Sequence, residues 1–559
     1  MHRHRNSVLT ALSVLASGVL VAACGSSSST TPSTSSTPAK AGGAVTLVYG
    51  TAPQSLDPGL DYTTQGAEIN WLAYTGLTSY AHANGIAGTK LIPGLATALP
   101  AISDGGKTYT ATLRKGLVYS NGQPVKASDF AYAVERAIKI PWGGAGSFLT
   151  PTIVGAAAYA AGKAKTISGI TADDATGRIV IHLVMPYGPF DNVLAFAAVA
   201  PVPAGTQMKV EPTSPPPGVG PYMVKNVVPN QSFTAVPNPA WSKMSIPGIP
   251  AAKVTVDAKI NSNVPSNALS VLNNTADFFD WADTVPGSLL PRIKAEASSR
   301  FQLKNLGGST YYVFLNSTEK PFNSQLAREA VVTGLNEEAM RTLGSGTLIP
   351  ACFWLPPYVP GHVSNASCPY GTPGTGDLAK AKALVKQSGM AGQPVTVWAQ
   401  ERTPRVQWMT YYTSFLNSIG FKATIKPIAD ATYWTTIGNL SLHPQTGFDD
   451  WNMDFPNPVD FYGVLLDGKA IQKTNNLNFG EVNDPYINSM VTKLGATPTT
   501  QLGKVASQWQ AVEQYVAKKA YVAEFGYQTF PEFTSARVNY GALVFQPEYG
   551  WDWTSFALK

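Results

Sequence analysis

The first 42 residues restrict everything that follows them. His2-Arg3-His4-Arg5 precedes an apolar run from Val8 to Ala23, which ends in Val21-Ala22-Ala23-Cys24-Gly25. A basic start, a short apolar stretch and small residues before a cleavage point describe an export signal over 1–23. The run is shorter than the roughly 20 residues that span a bilayer, and an uncleaved anchor is the alternative reading. From Gly25 to Pro38 there is only Gly, Ser, Thr and Pro, with nothing apolar to bury, so 24–42 reads as a flexible tether. Folding therefore starts near residue 43, in an oxidising compartment outside the cytoplasm.

Cys24, directly after Val-Ala-Ala, resembles the bacterial lipobox, in which the thiol is diacylglycerylated and becomes the new N-terminus. That resemblance implies a lipid anchor on Cys24, at the outer face of the cytoplasmic membrane. Cys352 and Cys368 then remain as a pair 16 positions apart in a stretch rich in Pro and Gly. In an oxidising compartment they read as a disulfide, and closing the loop restricts the unfolded chain by about 3 kcal/mol. Metal ligation by the two thiols is the other option, with His362 the one histidine near them.

The remaining chain has the makings of several packed units. A length of 559 residues allows about three or four domains. With 24 Tyr, 22 Phe and 12 Trp against only 13% charged residues, wholesale disorder is excluded. Removing Arg3 and Arg5 with the leader would bring the net charge from +6 to about +4. No Lys/Arg cluster tracks a phosphate backbone, so nucleic acid is not expected as a partner.

Period-two alternation marks strands at Val45–Tyr49 and Thr108–Leu113, and Asn121-Gly122 supplies a tight turn. From Ala127 the period changes, with Phe130, Val134, Ala137 and Ile138 on one side of a helix. The same alternation of elements returns later. A helix over Asp377–Ser388 closed by Gly389 leads to the strand Val395–Trp398, then to a helix over Val406–Ser418 and the strand Lys422–Lys426. An α/β arrangement of helices on a sheet is expected for this half.

No catalytic constellation emerges. His-Glu-x-x-His and Gly-x-Ser-x-Gly are absent, and Gly106-Lys107-Thr108 lacks the first glycine of a phosphate loop because Ala101 stands there. Other motifs are specific. Leu91-Ile92-Pro93-Gly94-Leu95-Ala96, Ser103-Asp104-Gly105-Gly106-Lys107-Thr108-Tyr109-Thr110, Leu113-Arg114-Lys115-Gly116, Asn121-Gly122-Gln123-Pro124 and Ala127-Ser128-Asp129-Phe130 follow one another. Gly218-Val219-Gly220-Pro221-Tyr222, Asn238-Pro239-Ala240-Trp241, and Leu315-Asn316 through Pro321-Phe322 to Arg328-Glu329-Ala330 come after them. Their order and spacing resemble the family 5 bacterial extracellular solute-binding proteins, the oligopeptide- and dipeptide-binding receptors of ABC importers. Lys126 departs from the pattern, since the family usually has a capping Thr there.

The resemblance implies a periplasmic-binding-protein-like class II fold: two hinged lobes with mixed sheets flanked by helices, plus an inserted β-rich third domain. Lobe I would collect 43–75, 196–305 and 515–559, with the smaller domain at 76–195 and lobe III at 306–514. Strands crossing between the lobes would form the hinge. It also implies a monomer without cofactor or enzymatic activity, which hands a peptide or other small solute to permease subunits in the membrane.

For the ligand, the segment 449–461 resembles the family's Trp-x-x-Asp block, which assigns Asp454 to a peptide α-ammonium and Trp451 to the adjacent pocket. A carboxylate beside an aromatic wall suits a desolvated ammonium; an Asp capping the turn before Pro456 is the alternative. Arg402 and Arg405 lie where relatives hold a carboxylate, against the alternative of solvated arginines. Trp398, Trp408 and Trp434 could stack on a ligand or belong to the core, and Tyr311 and Tyr312 are cleft candidates by position in the family pattern. An oligosaccharide ligand, a nickel chelate, a sensory role and a surface hydrolase remain as competing readings.

Overall fold

The computed structural model describes residues 42–559 apart from 62, 141–143 and 365–367, so the leader, Cys24 and the tether lie outside the described residues. The alternating segment near residue 45 forms the strand Ala44–Tyr49, and its inward residues Val45, Leu47 and Tyr49 are buried. It pairs in parallel with Thr255–Ile260 and Phe278–Phe279, and the sheet continues antiparallel through Ser232–Pro237 to Tyr222–Val228. Asp277 ties this lobe to the C-terminal segment: its carboxylate accepts from the Thr46 backbone N–H at 2.8 Å and from Arg537 Nε at 2.6 Å.

A second lobe is built on a six-stranded mixed sheet. Its strand order is Leu348–Ile349, Val522–Phe533, Phe301–Leu315, Thr446–Asn452, Pro394–Gln400 and Lys422–Ile428. The helix Leu378–Gln387 starts where Asp377 accepts from the Lys380 N–H at 2.9 Å, and Gly389 follows it at φ +72°, a conformation glycine adopts without penalty. The helix Arg405–Ile419 buries Trp408, Met409, Tyr412, Phe415 and Leu416. The two longest strands of the sheet, Phe301–Leu315 and Val522–Phe533, run antiparallel towards the first lobe, where Phe278 bridges to Thr534.

A third, four-stranded antiparallel sheet takes Ala101–Ser103, Thr108–Thr112, Arg178–His182 and Ile170–Asp173, with the helix Ala127–Lys139. The capping hydroxyl missing at Lys126 is replaced from inside the helix, where Asp129 Oδ2 accepts from the Lys126 N–H and the Tyr119 hydroxyl, both at 2.9 Å. Arg136 of this helix meets Asp57 in a two-pronged ion pair at 2.7 and 2.6 Å that is almost wholly buried and fastens this domain to the segment entering the first lobe. The architecture is therefore two lobes with mixed sheets flanked by helices, plus a sheet-rich domain. Cys352 and Cys368 are joined, with Cα atoms 5.8 Å apart.

Candidate ligand cleft

A cavity of about 930 Å3, open to solvent, lies between the two lobes. One wall comes from the first lobe: Asp61, the helix Thr64–Ala73 with Asn70 and Trp71, then Ala197, Trp281 and the turn 547–549. The other comes from Gly308, Ser309 and 452–454 of the second. That second wall has a backbone cause. Pairing between Phe301–Leu315 and Val522–Phe533 shifts register between Asn305 and Thr310, and Met453 N donates to Gly308 O at 2.8 Å. Gly307 sits at φ +68°, where an added Cβ would run into the Tyr358 ring.

The aromatic side is held rigidly. Tyr549 stacks on Trp71 with ring centroids 4.8 Å apart, Trp71 stacks on His82 at 4.4 Å, and His82 Nδ1 meets Asp552 Oδ2 at 2.7 Å. Glu548 and Tyr549 stand at the tip of a short hairpin in which Phe545–Gln546 pairs with Gly550–Trp551. Gln546 Oε1 accepts from both Glu548 N and Tyr549 N, at 2.6 and 2.7 Å, and so locks that tip.

Chemically the lining is acidic. Asp61, Asp454 and Glu548 reach this cavity, and no Lys, Arg or His does among the described residues. Burial pushes Asp61 up to about 7 against hydrogen bonds from Thr63 and Asn70. Burial, then the charges of Asp454 and Asp460, hold Glu548 well above the usual carboxylate range. Behind the wall, Asp460 is fully buried and accepts from Trp451 Nε1 at 3.1 Å and from Asp454 N at 2.8 Å.

The residues singled out from sequence therefore part company. Asp454 lines the cleft. Trp451 stands one layer back, its indole on Asp460. Arg405 lies in a second crevice with Arg402, Asp283 and Tyr311; the segment 281–283 lines both, with Trp281 in the main cavity and Ala282 and Asp283 in this one. There Arg405 donates to Gln400 Oε1 at 2.6 Å and to Asp450 Oδ2 at 2.8 Å, and its guanidinium covers the Phe448 ring. Burial would lower its pKa, but the Asp450 charge and Tyr311 carry it above the ordinary arginine value.

Tyr312 and Trp398 do not line the cleft, contrary to expectation. Tyr312 is 2% exposed, with its hydroxyl on Asp449 and its ring edge-on to Trp354. Trp398 is 3% exposed beneath Lys426 Nζ. The sheet is covered on both faces here, so Tyr311 as well as Tyr312, and Val397 and Ala399 as well as Trp398, belong to the core of the second lobe. Trp408 is core as well, donating to Met340 O at 2.7 Å. Trp434 is half-buried, stacked on Phe479 beside Arg405. Sequence reading missed Asp61, Trp71, Trp281, Glu548 and Tyr549, which fall in none of the motifs; their position comes from packing.

The family described as "Bacterial extracellular solute-binding proteins, family 5 Middle" matches residues 90–473. This chain belongs to that family. Its members are transport binding proteins, and the chain is an extracytoplasmic solute-binding protein, not an enzyme. It is 30% identical over 296 residues to the probable deoxycholate-binding periplasmic protein YgiS of Escherichia coli (strain K12), a match covering 52% of this chain and 53%, about half, of that relative. It is 24% identical over 497 residues to the oligopeptide-binding protein OppA of Lactococcus lactis subsp. lactis (strain IL1403), covering 79% of each. Among solved structures, the clavulanic acid biosynthesis oligopeptide binding protein 2 superposes with a TM-score of 0.83 at 24% identity, over 93% of this chain and 96% of that one. The two-lobed fold with its extra sheet-rich domain is the one these binding proteins share.

Proposed function

We propose that this protein captures short peptides between its lobes and delivers them to an ABC permease. The observation that carries the reading is Asp454, a carboxylate set in the wall of an interlobe cavity beside Trp71, Trp281 and Tyr549. A peptide's α-ammonium is the cation it would neutralise, in a site whose closure excludes water and strengthens the pair. Arg402 and Arg405, in the second crevice, are the candidates for the carboxylate end. YgiS is named for deoxycholate, an anion, and three carboxyl groups with no facing base argue against an anionic solute here.

The reading extends to the rest of the chain. The leader 1–23 is removed, Cys24 carries the lipid, 24–42 is the tether, and the Cys352–Cys368 bond persists outside the cytoplasm. Lobe I is 43–75, 196–305 and 515–559, the inserted domain 76–195 and lobe III 306–514, in a monomer, with the strand Val522–Phe533 crossing from lobe I into the six-stranded sheet of lobe III. Titration calorimetry of the mature chain with a tripeptide series tests the function. Binding is expected, with a loss of about 30-fold or more in Asp454→Ala, as for truncating one side of a buried charge pair. Binding of deoxycholate or a neutral oligosaccharide with no response to any peptide would overturn it.

A further inference from the structure

The cleft holds more carboxyl groups than one ammonium explains. If Asp454 takes the α-ammonium, Glu548 is left facing it from the opposite lobe, close enough for the Asp454 charge to act on it. Its Oε2 is shielded from solvent and has no hydrogen-bond partner among the described residues. Three further polar atoms lining the same cavity are also unpartnered, on side chains almost entirely buried: Asn70 Oδ1 at 1% exposure, Ser309 Oγ at 2% and Trp281 Nε1 at 3%. Buried polar groups are normally satisfied, so unpaired ones around an open cavity mark positions for a ligand's donors and acceptors. The Trp71–Tyr549 stack beside Glu548 adds aromatic faces, which attract a desolvated cation.

We propose that Glu548 forms a second cation subsite, making the receptor selective for peptides whose first residue is basic, with the α-ammonium on Asp454 and the lysine or arginine head on Glu548. This rests on the peptide reading above and deepens it. A basic first residue carries its two positive centres only a few carbon atoms apart, which suits two carboxyl groups on opposite walls of one cavity. The Asn70 and Ser309 oxygens then accept the remaining N–H groups of the cation. Without a ligand, burial and the facing Asp454 charge disfavour ionisation of Glu548. A doubly charged ligand end lets Glu548 ionise beside Asp454 and bind it.

Titration calorimetry with Lys-Ala-Ala, Arg-Ala-Ala, norleucine-Ala-Ala, Ala-Ala-Ala and Glu-Ala-Ala tests the proposal on the wild-type chain. Lys- and Arg-led peptides should bind at least tenfold tighter than the norleucine isostere, which has the stem without the charge, and Glu-Ala-Ala should bind weakest. In Glu548→Gln the lysine-to-norleucine ratio should fall to near one, with an unchanged thermal midpoint showing that the protein is folded. If norleucine-Ala-Ala binds as well as Lys-Ala-Ala, or the ratio survives in Glu548→Gln, the second subsite is refuted while the peptide reading stands. If no tripeptide binds at all, the peptide reading falls and this inference falls with it.

Discussion

Replacing Asp57 with Ala should destabilise the protein through a charge it leaves behind. Arg136 is 2% exposed and Asp57 fully buried, so the pair is shielded from solvent on both sides. In the variant, Arg136 keeps its bonds to Gln207 O and Lys209 O, both at 2.7 Å, but has no anion. Gly59 N and Glu211 N also lose their acceptor. Breaking a buried pair from one side costs about 3–5 kcal/mol, because the surviving charge stays desolvated. With an unfolding entropy of about 2.1 cal/mol/K per residue, about 500 residues melting together would lose about 3–5 °C in Tm. If the inserted domain of about 120 residues melts on its own, the same energy moves its transition by about 12–20 °C. Differential scanning calorimetry separates the two cases by whether one peak moves or a new one appears. The double variant Asp57→Leu with Arg136→Met should recover most of the loss, since no charge is then stranded. A single variant within 1 °C of wild type, or a double variant no better than the single, would refute the reasoning.

Three further outcomes are expected. Glu337 and Glu524 line a second cavity beside the Cys352–Cys368 bond, each with one unpartnered oxygen; burial and then the Glu524 charge push Glu337 up from 4.5 to about 9, and burial with the Glu513 charge pushes Glu524 up to about 8. The folded state thus holds protons the unfolded state has released, so their contribution is complete below about pH 4.5 and is lost as pH rises through 8 to 9. Thermal midpoints should fall across that window, less steeply in Glu337→Gln, and a flat wild-type profile would contradict this. Replacing Cys352 and Cys368 with Ala should cost about 3 kcal/mol in denaturant unfolding if restriction of the unfolded chain dominates; no shift in midpoint would count against it. Gly307→Ala should lower stability and weaken ligand binding together, because the new Cβ strikes Tyr358 at the cleft wall; a crystal structure with an unmoved 307–309 backbone would disprove that coupling.

Much of the local structure is legible in the residue pattern. The turn at Asn121-Gly122, the helix opened by Asp377 and closed by Gly389, and the strand at 394–400 follow from propensities and caps that act over a few residues. The cap at Lys126 escapes that reading, because Asp129 fills the role from one turn inside the helix. Tyr312 and Trp398 escape it for another reason. Period two says that a strand has two faces, but here neither face is open: Tyr311 and Tyr312, like Val397, Trp398 and Ala399, are all buried in one core.

By itself, then, the sequence determined the local elements named above, the family and the one cleft carboxylate that lies within a motif, Asp454. Only the tertiary structure decided what stands opposite it. Asp61, Trp71, Trp281 and Glu548 come from segments separated by up to almost 500 residues, and they meet because the C-terminal hairpin packs against the helix Thr64–Ala73. Charge repulsion across a cavity depends on distance and burial, and chain order records neither.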